Sequence, residues 1–273
     1  MSRDLPDRDD IAERLAGIAV EAGRLVRNMQ AAAPGRRIKD DGSPCCAADT
    51  EAEALILARL AAAFPGIPAI AEETANAEQP GPRFFLVDPL DGTRDYLQGN
   101  DEYSVNLALI EGDRPVAAAV AAPGAGRVFA AGTTAREGTI REVGRPISWR
   151  TICVRQAPAD ELVALVSRLH GDPATEACLS SLSIGTLRSA SSALKFCLIA
   201  AGEADVYVRC GPTMEWDTAA GDHILARAGG GVIGSGGAPL TYGHEHRGYL
   251  NGPFAALGDL ALASRLSLPA FTA

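Results

Sequence analysis

Phe84-Phe85-Leu86-Val87-Asp88-Pro89-Leu90-Asp91-Gly92-Thr93 is the stretch around which the 273-residue chain is organised. Four apolar residues in succession read as a buried strand. Proline cannot donate to a sheet ladder, so Pro89 predicts that the strand ends at Asp88. Asp88 and Asp91 then stand at a strand end. Gly92 permits a tight backbone, and Thr93 suits the cap of a helix beginning near Arg94. The product is a strand end, two hard oxygen ligands and a helix N-terminus facing one point. Oxygen ligands suit Mg2+, and a helix N-terminus suits phosphate. The competing reading is an acidic turn closing a core strand, because Asp-Pro-x-Asp-Gly is also common turn chemistry.

The composition is that of an ordinary globular protein, 47% hydrophobic and 22% charged, and the length suits one large unit or two intimately packed halves. A net charge of −9 argues against a nucleic-acid polymer or an anionic membrane surface as partner. A small anionic substrate stays open, provided cations first offset the acidic side chains. The polar start, Met1-Ser2-Arg3-Asp4, does not read as a signal peptide, and the apolar run Val116 to Ala122 is too short to cross a bilayer. Six cysteines contain no Cys-x-x-Cys; Cys45 and Cys46 are adjacent, while Cys153, Cys178 and Cys197 read as small core residues. A reducing cytoplasm is the expected compartment.

In chain order, Asp7 is placed to cap a helix whose apolar face holds Ile11, Leu15, Ile18, Ala22, Leu25, Val26 and Met29, stopped at Pro34-Gly35. The stretch Lys39 to Asp49 reads as a polar loop feeding a second helix, with Asp49 at the helix start. By itself Asp49 could simply satisfy the helix dipole. Ile67 to Ala71 predicts a short strand, and Glu72-Glu73 follows it directly. An acidic pair is common on surfaces, yet here it comes directly off a strand just before the Asp88 strand, and a carboxylate there could reach the same metal as Asp88. Tyr103 to Leu109 alternates as a strand, Gly112-Asp113 turns, and Pro115 to Ala122 returns antiparallel, with Arg127 to Ala131 next. Polar, turn-rich Glu137 to Trp149 marks the boundary between halves. Beyond it the spacing predicts a strand at Ile152 to Val154, a helix over Pro158 to Leu169, a strand at Leu182 to Arg188 and a helix at Ser191 to Ala201. A strand at Ala204 to Arg209 and a helix from Asp217 to Ala228 follow. The first half, 1–145, is α+β; the second, 146–273, is α/β. Asp217 reads as a cap of its helix, and Ala219, Ala220 and Gly221 would let that helix lie close to another backbone.

Three separated motifs, Glu72-Glu73, Asp88-Pro89-Leu90-Asp91-Gly92-Thr93 and Trp216-Asp217-Thr218-Ala219-Ala220-Gly221, resemble in that order the inositol monophosphatase superfamily of metal-dependent phosphatases. Ser192-Ala193-Leu194-Lys195-Phe196-Cys197 and Gly211-Pro212-Thr213 resemble its 3′(2′),5′-bisphosphate nucleotidase branch. The resemblance implies a layered αβαβα sandwich. It implies Glu72, Asp88, Asp91 and Asp217 as metal-binding carboxylates, with the Leu90 carbonyl as a further ligand, for two or three Mg2+ ions. Gly92 and Thr93 would meet the substrate phosphate through backbone N–H groups. The Thr93 hydroxyl would orient the attacking water, with Asp49 as its acidic partner and Glu72 serving in catalysis. Glu72, Leu90, Asp91, Gly92, Thr93 and Asp217 would thus contact substrate, the first half carrying most of the metal ligands and the second completing the site. The implied reaction is removal of the 3′-phosphate from adenosine 3′,5′-bisphosphate or its sulfated form; an inositol, fructose or histidinol phosphate phosphatase is the alternative, and a non-catalytic metal and phosphate sensor a third. A homodimer is left open.

Two stretches depart from the family pattern: Cys45-Cys46 follow Pro44, with a thiol at 46 where a hydroxyl residue is usual, and Ser191-Ser192-Ala193 replaces Gly-Ser-Ser. For a bisphosphate, the second phosphate needs its own contact. Ser192 and Lys195 are neighbours on one helical face, and Arg209 closes the following strand. Their competing readings are a helix cap for Ser192 and solvated surface charges for Lys195 and Arg209. No Gly-x-Ser-x-Gly nucleophile occurs, and His244 and His246 read as surface residues rather than a zinc pair.

Overall fold

The computed structural model describes residues 6–32, 35–38, 44–74, 81–141, 145–158, 160–167, 172–191 and 193–271. Helix α1 (Arg8–Ala31) begins at Asp7, whose carboxylate accepts the N–H groups of Asp9 and Asp10. Two short strands, β1 (Arg36–Ile38) and β2 (Pro44–Cys46), pair antiparallel where a loop was expected, and lead into α2 (Ala47–Ala63). Strands β3 (Ala69–Ala71) and β4 (Arg83–Asp91) run parallel to each other. After the short helix α3 (Thr93–Leu97), β5 (Ser104–Glu111), β6 (Arg114–Ala122), β7 (Arg127–Ala131), β8 (Ala135–Thr139) and β9 (Trp149–Thr151) complete a seven-stranded sheet in sequence order, antiparallel from β4 onward.

Strand β4 does not end at Asp88. It continues through Pro89 to Asp91, and the register against β5 shifts between Asp88 and Asp91. Pro89 is tolerated because an irregularity removes the need for its N–H in the ladder. That local break aims Asp88 and Asp91 at one cleft.

The second half adds β10 (Leu162–Val166), α4 (Pro173–Ser180), β11 (Ile184–Ser189), α5 (Leu194–Ala200), β12 (Val206–Arg209), β13 (Thr213–Met214), α6 (Glu215–Arg227), β14 (Gly231–Gly234), β15 (Leu250–Asn251) and β16 (Phe254–Leu257). A second sheet has the order β11-β10-β12-β16-β14. Several expectations fail here. Ile152 to Val154 is irregular, and the strand is Trp149–Thr151. The region predicted as a helix from Pro158 holds β10 instead. Leu162-Val163-Ala164-Leu165-Val166 is an apolar run too short to reveal a period, and parallel pairing on both sides buries it as a strand. The helix comes later, where Asp172 caps α4 and Pro173 opens it. In the turn-rich stretch, Glu137 and Gly138 belong to β8 and Trp149 to β9. Cys153 is exposed, whereas Cys178 and Cys197 are buried as expected.

Alternation along the strands explains the layers. Phe85, Val87, Leu107, Leu109, Ala117 and Ala119 point to one face of the first sheet and pack on α1 and α2. Phe84, Leu86, Ala108, Ile110, Ala118 and Val120 point to the other, where they meet α5, α6 and one face of the second sheet. The remaining face of the second sheet, with Leu162, Ala164, Val206 and Val208, buries Cys178 and Leu179 of α4. The result is the expected αβαβα sandwich. In its middle layer α5 and α6 pack closely: a Cβ on Gly221 would lie 2.5 Å from Cγ of Phe196. Only a residue without a side chain fits that approach.

Candidate active site

The central cleft, about 260 Å³, lies where β4, α3, α5, β12 and α6 converge. Glu72, Asp88, Leu90, Asp91, Gly92, Thr93, Lys195, Arg209 and Asp217 all line it. Residues far apart in sequence thus reach one space. Asp49 joins them from α2 through Thr93, whose hydroxyl lies 3.0 Å from Asp49 Oδ1 and 3.0 Å from the Leu90 carbonyl. Ser192 lies outside the described residues.

Gly92 has φ +92°, a left-handed conformation that glycine adopts without strain, and it takes the N-cap position of α3. Thr93 is therefore the first helical residue rather than the cap. Its hydroxyl is free of capping duty and turns to Asp49 and Leu90 instead. Asp217 is likewise not the cap of α6. It sits at the third helical position, and its Oδ2 accepts the N–H of the cap residue Met214 at 3.0 Å and the Thr213 hydroxyl at 2.5 Å. Asp49 repeats this arrangement in α2: Oδ2 accepts the Cys46 N–H at 2.8 Å and the Cys46 thiol at 2.9 Å. Both carboxylates satisfy a helix terminus with one oxygen.

Asp88 is buried at 1% exposure, and its Oδ1 accepts the Leu90 N–H at 3.0 Å. Asp91 is enclosed by protein yet opens to the cleft, and its Oδ2 accepts from Ala193 N–H at 2.7 Å and Asn106 Nδ2 at 3.3 Å. Burial, then the nearby charges of Glu72, Asp91 and Asp217, hold the Asp88 carboxyl well above the usual carboxylate range. Burial and Asp217 push Asp91 up to about 7, although Lys195 and the two hydrogen bonds pull it down. These shifts express one fact: several carboxylates share a poorly solvated space.

The donor set fits a hard divalent cation. Asp88, Asp91 and Asp217 each commit one oxygen to the chain's own hydrogen bonds, and the second oxygen carries none among the described residues. All-oxygen donors suit Mg2+ rather than a softer metal. Among the described residues no three such side chains are already drawn together tightly enough to enclose an ion.

The cationic side chains behave differently from solvated surface charges. Lys195 is only 3% exposed; its Nζ lies 3.3 Å from the Ala190 carbonyl and 4.7 Å from the Tyr207 ring centroid. Arg209 is half-buried, donates to the Pro212 carbonyl at 2.7 Å, and is held in its charged form partly by Asp217 and Asp91. His244 is also more than a surface residue, since its Nδ1 lies 2.6 Å from the buried Glu215 carboxylate.

Several participants escaped the sequence reading. Asn106 and Ser104, placed on the polar side of β5, are both buried; Ser104 donates to Asn106 at 2.8 Å, and Asn106 faces Asp88 across the ladder while bonding Asp91. Ser191 donates to Asp95 at 2.5 Å, joining α3 to the start of α5. The usable signal was a Ser-x-Asn pair on an otherwise apolar strand, where buried polar residues need partners.

With this geometry in place, the comparisons are direct. The inositol monophosphatase family matches residues 7–265. The 3′(2′),5′-bisphosphate nucleotidase CysQ of Salmonella typhimurium is 38% identical over 212 residues, 75% of this chain and 81% of that protein. CysQ of Escherichia coli K12 is 36% identical over an equal length and equal shares of both chains, 75% and 81%. The crystal structure of CysQ from Bacteroides thetaiotaomicron superposes with a TM-score of 0.78 at 30% identity, covering 93% of this chain and 98% of that one. The chain belongs to the inositol monophosphatase family, and the enzyme class that goes with it is phosphatase. No helix among the described residues is long and apolar enough to cross a membrane.

Proposed function

We propose that the chain removes the 3′-phosphate from adenosine 3′,5′-bisphosphate, giving AMP and phosphate, and acts also on the sulfated form, 3′-phosphoadenylyl sulfate. The observation that carries the reading is the Thr93–Asp49 hydrogen bond opening onto a cleft lined by Glu72, Asp88, Asp91 and Asp217. The choice of a nucleotide is supported by the likeness to the CysQ nucleotidases.

Glu72, Asp88, Asp91, Asp217 and the Leu90 carbonyl would hold Mg2+, two or three ions in all. Bound there, Mg2+ supplies neutralisation of the phosphate charge and acidifies water. The chain's own residues position the reaction. The Thr93 hydroxyl has one proton and two acceptors in reach, Asp49 and Leu90. Were the Leu90 carbonyl to hold a cation, Asp49 Oδ1 would be the acceptor left for that proton. The Thr93 oxygen is then left to accept from the attacking water and orient it in line. Gly92 and Thr93 offer backbone N–H groups to the transferred phosphate. Lys195 and Arg209 bring the positive charge that a second, non-reacting phosphate needs, with Ser192 three positions before Lys195 in sequence.

A phosphate-release panel tests this: adenosine 3′,5′-bisphosphate, inositol 1-phosphate, fructose 1,6-bisphosphate and histidinol phosphate, each with Mg2+ and with chelator. The expected result is the highest kcat/KM for the nucleotide, abolished by chelator. A higher value for inositol 1-phosphate would overturn the substrate, and release unaffected by chelator would overturn the metal.

A further inference from the structure

Two thiols outside the cleft stand in contact. Cys178 Sγ on α4 lies 3.8 Å from Cys210 Sγ, which immediately follows β12. They come from segments 32 residues apart, and three hydrogen bonds surround the contact, one of which joins the two segments directly. Cys178 Sγ donates to the Ser267 carbonyl at 3.2 Å. The Cys210 N–H donates to Thr175 Oγ1 at 3.0 Å, and Thr175 in turn donates to Asp172 at 2.6 Å, the cap of α4. Cys178 is buried and Cys210 half-buried. Cys210 also adjoins Arg209, the cleft residue that donates to the Pro212 carbonyl.

We propose that Cys178 and Cys210 form a reversible disulfide that lowers the affinity of the cleft for anionic substrate. A low-molecular-weight disulfide, RSSR, is the oxidant. Cys210, the more accessible thiol, attacks as thiolate; the S–S bond of RSSR breaks, and one RS⁻ leaves with the electron pair. The resulting Cys210–S–S–R bond is attacked by the Cys178 thiolate at Cys210 Sγ, expelling the second RS⁻. The two protons lost by the cysteines go to the two RS⁻, giving two RSH. The protein is oxidised by two electrons and RSSR is reduced by two. Closing the contact to the roughly 2.05 Å of a disulfide draws the sulfurs together. Cys178 is anchored within α4 and its core, so Cys210 moves and takes the adjoining Arg209 with it. Burial pushes the Cys210 thiol up to about 11, so the exchange is slow beside that of an exposed low-pKa thiol.

The test treats the full chain with a large excess of oxidised glutathione and maps its disulfides by mass spectrometry, before and after dithiothreitol. A reversible Cys178–Cys210 link is expected, absent from both Cys178→Ser and Cys210→Ser and intact in Cys153→Ser, which removes the exposed thiol. KM for whichever phosphate ester the enzyme hydrolyses best should rise by about tenfold in the oxidised protein, the scale of one weakened charge-assisted contact, with a smaller change in kcat. Oxidised Cys210→Ser should show no KM change. The disulfide map needs no substrate, so it stands or falls separately from the nucleotide assignment. Mixed glutathione adducts without the link, a link through another cysteine, or a link with unchanged KM would each overturn the proposal.

Discussion

The Thr93 hydroxyl and the Asp49 carboxylate, 44 positions apart, meet at 3.0 Å. Asp49 is itself fixed from behind by the Cys46 N–H and thiol. Asp49→Asn keeps the shape but offers Thr93 a neutral partner. Turnover is expected to fall by about 10²-fold or more with a small change in KM, and Thr93→Val to fall similarly. Steady-state kinetics check this; near-wild-type kcat in either variant would exclude the pair from catalysis.

Asp88 and Asp91 each contribute charge to a crowded site. Asp88→Asn or Asp91→Asn should leave a folded protein with roughly 10²-fold less activity.

The same substitutions predict an effect on stability, with a definite sign. Asp91 in the folded chain titrates near 7, above its ordinary 3.8. A raised carboxyl favours folding below 3.8, and that contribution is lost as pH rises through about 7. In chelator, Asp91→Asn should therefore melt higher than wild type at pH 8, and the gap should shrink toward zero below pH 4. Saturating Mg2+ should raise the wild-type melting temperature and not that of the variant. Thermal melts across pH decide it; a variant less stable than wild type at pH 8 in chelator contradicts the charge crowding.

Cys46 is fully buried, and burial together with Asp49 raises its thiol to about 12. It stays protonated and donates to Asp49, as a hydroxyl would. Cys46→Thr or Cys46→Ser should keep or improve kcat, while Cys46→Ala should lower it severalfold. Loss of activity in Cys46→Ser, with the fold intact by circular dichroism, would show that the sulfur has a separate role.

Arg209 and Lys195 divide the positive charge of the cleft. Arg209→Ala should raise KM for adenosine 3′,5′-bisphosphate by roughly ten- to a hundredfold, and KM for a simple monophosphate ester far less. The charge of Lys195 also acts on Asp91. Lys195→Met should therefore lower kcat for both esters as well. Equal KM shifts for both esters in Arg209→Ala would remove it as the contact for a second phosphate.

That Glu72, Asp88, Asp91 and Asp217 would share one cleft was legible in the sequence because they sit in short, ordered motifs, and the layers were legible because the strands of the first sheet alternate cleanly. What failed did so for local reasons. Leu162 to Val166 carries no period, so only its neighbours in space make it a strand. Thr93 and Asp217 are good capping residues by type, but a positive-φ glycine and the Met214 backbone take the cap positions. The burial of Lys195 follows from the Tyr207 ring beneath it, a contact between separate elements that no local pattern announces.

The middle layer carries a consequence for how the enzyme comes into being. Asp88 and Asp91 are made early, but Asp217 enters only with α6, whose Gly221 must seat against Phe196. A nascent chain that has not reached α6 holds Glu72, Asp88 and Asp91 of the cleft without the fourth carboxylate, Asp217. The cleft is therefore still open when α6 has been made, because Phe254 of β16, which also lines it, follows later in the chain.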